Sequence, residues 1–218
     1  RDLVRSRGLG DVYKRQIKYR KLDDNIGYIY CGSFSNAIGS GNLNDILMDL
    51  ATCNALIVDV RDNGGGMLTS AETLASRFTD EEILVGYMQH KTGPGHNDFS
   101  EPEEQKLKPS SGLRWHKPVA VLTNRAVFSA ANEFVKYMKC CPGVTVIGDK
   151  TGGGAGMPFS SELPNGWSVR FSACPMYDRD MNCTEFGIEP DHNVQLTDSD
   201  FAKGRDTIIE YARNILNQ

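Results

Sequence analysis

The stretch Thr123–Phe134, TNRAVFSAANEF, lies between a short apolar run and a segment of helical periodicity. The apolar run Pro118–Leu122 predicts a buried strand, and Ala130–Met138 carries apolar residues at helical spacing. Ser129 therefore falls where a strand has ended and a helix begins. The first N–H groups of a helix lack internal partners, so they can stabilise an oxyanion that forms beside a serine nucleophile. Serine is also a preferred N-cap, and for this stretch alone the cap is the favoured interpretation.

Strands and helices alternate on both sides of this stretch. Apolar and β-branched runs predict strands at 26–34, 55–60, 83–90 and 144–148, and helical spacing predicts helices at 42–53, 69–78 and 201–216. Segments 159–163 and 167–171 flank Asn165-Gly166, a dipeptide typical of hairpin turns. The polar stretch 90–113 predicts a long surface loop. The alternation predicts an α/β core with right-handed crossovers and a β-hairpin.

Composition argues against several classes of protein. The 218 residues carry a formal net charge of −4, which offers no basic footprint for nucleic acid. No apolar run approaches the length that spans a membrane. The six cysteines form no CxxC pair, so the sequence predicts no zinc site.

Residues 1–16 stand apart from the remaining sequence. Ser6–Gln16 resembles the translation of a sequencing adapter and has no apolar periodicity. The sequence therefore predicts an adapter-derived or disordered segment at 1–16 and one folded region at 17–218. It also predicts that the authentic N-terminal part of the protein, before Ile17, is missing.

Two glycine-rich turns each follow an apolar strand. Gly64, Gly65 and Gly66 lack the G-x-G-x-x-G spacing, and 152–156 lacks the lysine of a phosphate-binding loop. Consecutive glycines permit close backbone approach, so their N–H groups could bind an oxyanion or an extended peptide. A simple tight turn is the alternative interpretation.

Four motifs occur in order along the chain. Together they closely resemble the S41 serine peptidases, the family of C-terminal processing and tricorn-type proteases, over 28–194. The motifs are LIVDVRDNGGG at 56–66, NRAVFSAANEF at 124–134, GDKTGGG at 148–154 and GIEPD at 187–191.

The resemblance implies a crotonase/ClpP-like β/α core and a peptide or protein substrate, with no metal and no cofactor. It implies that Ser129 is the nucleophile and that the N–H groups of Ala130 and Gly65 form the oxyanion hole. Gly64 and Gly66 would then bind the substrate backbone.

The resemblance also bears on the general base. The Ser-Lys branch places a lysine where this chain has Gly154, and Lys150 lies on the strand side of that turn. The tricorn-like branch uses a histidine, and Glu185 matches the region of the glutamate that orients it. Glu189 is the nearest competitor for that role.

None of the four histidines is assigned as the base. In the tricorn-like branch the base precedes the strand equivalent to 26–34, but the first histidine here is His90. The base is therefore expected in the missing N-terminal part, and residues 1–218 alone are expected not to hydrolyse peptides at a useful rate. The histidines are His90, His96, His116 and His192.

Two other functions stay open. The first is a non-catalytic S41-like module that binds a ligand or peptide, and the second is a crotonase-type acyl-CoA enzyme, for which no basic cluster is visible. Analogy with the family suggests the bacterial cell envelope or periplasm, and the oligomeric state is left open. For Arg61 and Asp62, the favoured interpretation is a structural ion pair, and the alternative is that they bind a peptide carboxylate. For Trp167 and Phe171, packing is favoured over stacking on a substrate.

Overall fold

A parallel sheet forms the centre of the computed structural model, which describes residues 17–218. The strands are β1 Ile17–Lys21, β2 Ile26–Cys31, β3 Ala55–Asp59, β4 Ile83–Met88, β5 Glu103–Leu107, β6 Val119–Thr123, β7 Val144–Gly148, β8 Phe159–Glu162, β9 Ser168–Phe171, β10 Met176–Tyr177 and β11 His192–Asn193. The central sheet has the order β1-β2-β3-β6-β7-β11, and only β1 runs antiparallel to its neighbour. The remaining strands form two smaller sheets, one with the order β10-β4-β5 and one made of β8 and β9.

Helices cover both faces of the central sheet. They are α1 Ser40–Asp49, α2 Leu68–Ala75 with a 3-10 turn at Ser76–Phe78, α3 Ala130–Cys140, α4 Asp198–Ala202 and α5 Thr207–Leu216. The larger apolar core includes buried side chains of α1, α2 and α3, and the smaller core includes Ile208 and Ala212 of α5. Strands β3 and β6 are buried along their whole length, as parallel strands between two helical layers must be. The predicted α/β class and the 159–171 hairpin are confirmed.

Three predictions of local structure were wrong in detail. The stretch 90–113 is not all loop, because β5 pairs antiparallel with β4 although four of its five residues are polar. The helix predicted at 201–216 is two helices separated near Gly204, where φ is +67°. Asp206 then caps α5 by accepting hydrogen bonds from the N–H groups of Ile208 and Ile209. The helix predicted at 42–53 begins two residues earlier and ends at Asp49.

The prediction for 1–16 falls outside the described residues. Within 17–218, no helix is both long and apolar enough to cross a membrane.

Candidate active site

Ser129 occupies a sharp turn between β6 and α3. Its backbone has φ 57° and ψ −125°, a conformation that non-glycine residues rarely adopt and that is strained. Although Ser129 holds the N-cap position, its side chain makes no capping hydrogen bond to α3. The backbone is instead held by main-chain bonds, with Ser129 N–H donating to the Gly153 carbonyl at 2.8 Å. A role as a cap alone therefore does not account for this serine.

The triple-glycine turn packs directly on the Ser129 backbone. A Cβ at Gly65, where φ is +96°, would lie 2.6 Å from the Phe128 carbonyl oxygen and 2.9 Å from the Ala130 nitrogen. Only glycine fits this approach. The Gly65 N–H donates to Asn63 Oδ1 at 2.9 Å. Within residues 17–218, the N–H groups of Ala130 and Gly66 have no acceptor.

The second glycine turn connects Ser129 to Glu185. Gly153 accepts the Ser129 N–H, and the next residue, Gly154, donates its N–H to the Glu185 carbonyl at 2.9 Å. A Cβ on Gly153 would lie 2.1 Å from that carbonyl oxygen, so the contact also requires glycine. The nucleophile turn and the acid segment are thus joined by a short series of backbone hydrogen bonds.

Helix α3 anchors the acid segment a second time. Asn132 donates to the carbonyl of Thr184 at 3.3 Å and accepts from Thr151 Oγ1 at 2.6 Å. Thr151 Oγ1 in turn accepts the Ile188 N–H at 2.7 Å. These buried bonds fix the backbone on both sides of Glu185.

Glu185 and Ser129 line the same cavity, which has a volume of about 670 Å³ and is called here the main cavity. One Glu185 carboxylate oxygen accepts a hydrogen bond from Ser172 Oγ at 2.9 Å. Glu189 points elsewhere and forms an ion pair with Lys150 at 2.9 Å. Glu185 therefore lies in the cavity that Ser129 lines, and neither Glu189 nor Lys150 lines that cavity.

The main cavity also includes residues that sequence reasoning missed. Ser172 and Arg170 lie at the end of the β8–β9 hairpin, and Ser33 and Ser35 follow β2. Their common signal is position, since all four lie at or near the end of a strand; no motif marked them. Phe171 lines the cavity and packs edge-on against Phe159 with ring centroids 4.2 Å apart.

Two predictions about packing have different outcomes. Arg61 forms ion pairs with Asp59 at 2.6 Å and Asp206 at 2.8 Å, so the structural ion pair is confirmed for Arg61. Burial acts to lower the Arg61 pKa, but the hydrogen bonds and charge of Asp59 outweigh it and raise that pKa. Asp62 is outside this pair and accepts a hydrogen bond from Asn124.

Trp167 is 71% exposed, so the prediction that it packs was wrong.

The four histidines lie away from the serine, and none of them lines the main cavity. Each has polar neighbours of its own: His90 lies 3.9 Å from Glu103, His116 lies 3.1 Å from Asp80, His192 lies 3.2 Å from the Tyr211 hydroxyl, and the His96 carbonyl accepts from Lys91.

Comparison with known proteins identifies the family. A family model described as Peptidase family S41 matches residues 25–194. The chain belongs to this family. Membership supports a serine protease function in general terms. The curated relatives include the carboxy-terminal processing protease CtpA of Bacillus subtilis, 26% identical over 81% of this chain and 36% of that protein. They also include the Tricorn protease of Thermoplasma acidophilum, 24% identical over 98% of this chain and 18% of that protein.

Solved structures share the fold. A crystal structure from Parabacteroides merdae ATCC 43184 is 56% identical and has a TM-score of 0.89, covering 92% of this chain and 64% of that one. Mature CPAF complexed with lactacystin has a TM-score of 0.76 at 16% identity, covering 91% of this chain and 53% of that one. The S41 peptidase fold is therefore confirmed. The chain spans about a third or less of the length of the two curated relatives, CtpA and the Tricorn protease.

Proposed function

We propose that the protein hydrolyses peptide bonds with Ser129 as the nucleophile. The observation that carries this proposal is the strained turn at Ser129, whose side chain does not cap α3 and lines a cavity opposite the triple-glycine turn. Strain of this kind is retained where the surrounding structure over-determines it, and it clusters at active sites.

In the proposed reaction, Ser129 Oγ attacks the carbonyl carbon of the peptide bond and forms a tetrahedral intermediate. The Ala130 N–H is one oxyanion donor, since it points out of the first turn of α3 without an acceptor among the described residues. The other donor belongs to the triple-glycine turn. Gly65 would exchange its bond to Asn63 for the oxyanion, whereas the Gly66 N–H needs no exchange.

Glu185 is proposed to orient a histidine base. Its carboxylate is held by Ser172 through one oxygen, which leaves the second oxygen for an imidazole N–H. Lys150 is paired with Glu189, and no histidine of this chain lines the main cavity. We therefore infer that the base comes from a part of the protein outside these 218 residues.

The substrate is proposed to be an extended peptide whose backbone lies along Gly64 and Gly66, with neither metal nor cofactor taking part. Among residues 17–218, no group of three or more histidine, cysteine, aspartate or glutamate side chains is placed to hold a metal ion.

A fluorophosphonate probe tests the nucleophile, because it reacts with an activated serine and carries no peptide. Labelling of the full-length protein should map to Ser129 by peptide mass spectrometry and should be absent in Ser129→Ala. Absence of labelling in a folded full-length protein would leave the non-catalytic binding module as the better account. Comparing peptidase activity of residues 1–218 with that of the full-length protein tests the external base, and equal activity would contradict it.

A further inference from the structure

A second cavity of about 430 Å³ opens beside Ser129 and is called here the side cavity. Five residues line both it and the main cavity: Gly66, Ser129, Gly154, Pro158 and Arg170. The two cavities therefore meet at the candidate nucleophile. A peptide that presents a bond to Ser129 would have the residues on either side of that bond close to this junction.

Arg170 is the charged residue at the junction. Among residues 17–218, no other arginine, lysine or histidine lines either cavity. Arg170 lies in β9, two residues before Ser172, and the alternation of side chains along a strand places residues two apart on the same face. Because the Ser172 hydroxyl donates to Glu185, this face is the one turned toward the site.

The Arg170 side chain is open to a ligand. Arg170 is exposed, and its side chain has no hydrogen bond or ion pair with any other residue in the described part of the chain. The two acidic residues that line the cavities are already engaged. Glu185 accepts from Ser172, and Glu133 forms a buried ion pair with Lys136. A guanidinium group has five N–H donors, so those of Arg170 are available to a substrate.

A carboxylate is the ligand that suits a single arginine in this position. The planar guanidinium matches a carboxylate through two parallel hydrogen bonds. Phosphate groups are usually recognised by clusters of arginines, and neither cavity has a second cation among the described residues. The apolar residues Met157, Pro158 and Phe171 also line the cavities. A peptide that covers them excludes water from Arg170, which strengthens a charge pair.

We propose, on the basis of the proposed function, that Arg170 binds a carboxylate of the peptide substrate at a residue that flanks the cleaved bond. Two groups carry this chemistry: the side chain of an aspartate or glutamate, and the terminal carboxylate of a substrate that is cleaved close to its C-terminus. Arg170 then determines specificity, and Ser129 performs the reaction.

Mapping of cleavage sites in a defined peptide mixture tests the proposal without a known cleavage sequence. The full-length protein is incubated with matched peptides that carry glutamate or glutamine at single positions, each with a free or an amidated C-terminus. Mass spectrometry of the products gives the ratio of kcat/KM within each pair. A carboxylate next to the cleaved bond should raise kcat/KM about three- to tenfold, as expected for an arginine pair partly shielded from water.

The two arms of the mixture distinguish the sources of the carboxylate. Preference for glutamate over glutamine assigns an acidic side chain, and preference for the free over the amidated terminus assigns the terminal carboxylate. The absence of a preference in both arms overturns the proposal.

Substitutions of Arg170 assign the preference to this residue. Arg170→Gln should reduce the preference to about one. Arg170→Glu should reverse it, so that lysine at the same position is favoured over glutamate. Arg170→Lys should retain part of it, because lysine keeps the charge but not the paired hydrogen bonds. An unchanged preference in Arg170→Gln overturns the proposal.

Arg179→Gln serves as the matched control. Arg179 is also exposed, and it lines neither cavity. Its replacement changes the net charge by the same amount, so it separates a contact at Arg170 from a general electrostatic attraction. The preference should persist in Arg179→Gln, and equal losses in the two variants overturn the proposal.

Binding without cleavage separates this proposal from the proposed reaction. The same peptides are passed over immobilised full-length Ser129→Ala protein, which should retain those with the preferred carboxylate and lose this selection when Arg170→Gln is added. Fluorophosphonate labelling of Ser129 without any carboxylate preference refutes only the role of Arg170. Selective retention that depends on Arg170, together with unlabelled Ser129 in the wild-type protein, supports the carboxylate site while refuting the reaction.

Discussion

Two halves of the candidate site are held in place by different forces. The half that carries Ser129 is largely buried, and nine of the eleven residues of α3 are buried. The half that carries Glu185, Ser172 and Arg170 comprises the end of the β8–β9 hairpin and the segment after it, and all four residues of β8 are exposed. Packing therefore fixes the nucleophile, whereas hydrogen bonds fix the acid: buried bonds hold its backbone, and a bond from Ser172 at the surface holds its carboxylate.

This difference separates stability from activity across the site. A change at the Ser129 turn alters both, because its strained backbone is held by the close-packed β3, β6 and α3. A change at Glu185 should alter activity almost alone. The predictions that follow test this separation.

Replacing Ser129 should have the largest effect on activity and should also affect stability. In the full-length protein, Ser129→Ala should lower kcat by about 10⁴- to 10⁶-fold. Ser129→Gly should be equally inactive but about 1 kcal/mol more stable than Ser129→Ala, because glycine accepts φ 57° without strain. Urea unfolding of the two variants measures the difference. If the alanine variant proves the more stable, the turn is not strained in solution.

Replacing Glu185 should lower activity without lowering stability. Glu185→Gln should reduce kcat about 10²- to 10⁴-fold, because a glutamine does not stabilise the protonated base. The free energy of unfolding should change by less than about 0.5 kcal/mol, since among residues 17–218 the side chain is bonded only to the Ser172 hydroxyl. Glu189→Gln is the matched control and should leave kcat unchanged. Equal losses in both variants would remove the assignment of Glu185.

Alanine substitutions at two adjacent glycines of the triple-glycine turn should change the free energy of unfolding by different amounts. Gly65→Ala should destabilise the fold by about 2 kcal/mol or more, because its Cβ would lie within 3 Å of Phe128, Ser129 and Ala130. A Cβ on Gly64 meets nothing within 4 Å, so Gly64→Ala should cost less than about 1 kcal/mol. Chemical unfolding of both variants makes the test, and similar losses would show that close approach at Gly65 does not constrain the turn.

The sequence predicted the parts of the site that depend on local structure. Ser129 and the two glycine turns each follow an apolar strand, and a strand followed by a turn and a helix is readable from neighbouring residues. The histidines were also left unassigned, because the resemblance to the tricorn-like branch places the base before the strand at 26–34 and the first histidine here is His90. Glu185 was placed by resemblance to the family, and its role stays a prediction.

The parts that were missed depend on distant contacts. Strand β5 has the sequence EEQKL and is a strand because β4, more than fourteen residues away, pairs with it. Ser172 acquires a role only because the hairpin returns it to Glu185. The burial of Glu133 and Lys136 was hidden for a similar reason, because α3 is covered on all sides by elements that a helical pattern cannot reveal.

Cysteine ionisation should have the smallest effect on the free energy of unfolding. Cysteines in the two halves can be followed separately. Cys31 is buried at the end of β2, and burial raises the pKa of its thiol from 9.0 to about 12. Because the folded pKa lies above the unfolded one, the protonated thiol stabilises the fold fully below about pH 9, and this contribution is lost as pH rises toward 12. Cys183, on the exposed side, is accessible to solvent.

At pH 8 an iodoacetamide pulse should modify Cys183 and spare Cys31, as read by peptide mass spectrometry. The free energy of unfolding should fall between pH 9 and about pH 10.5, and the fall should be smaller in Cys31→Ala than in Cys183→Ala. Equal slopes in the two variants would show that the buried thiol does not contribute to the alkaline loss.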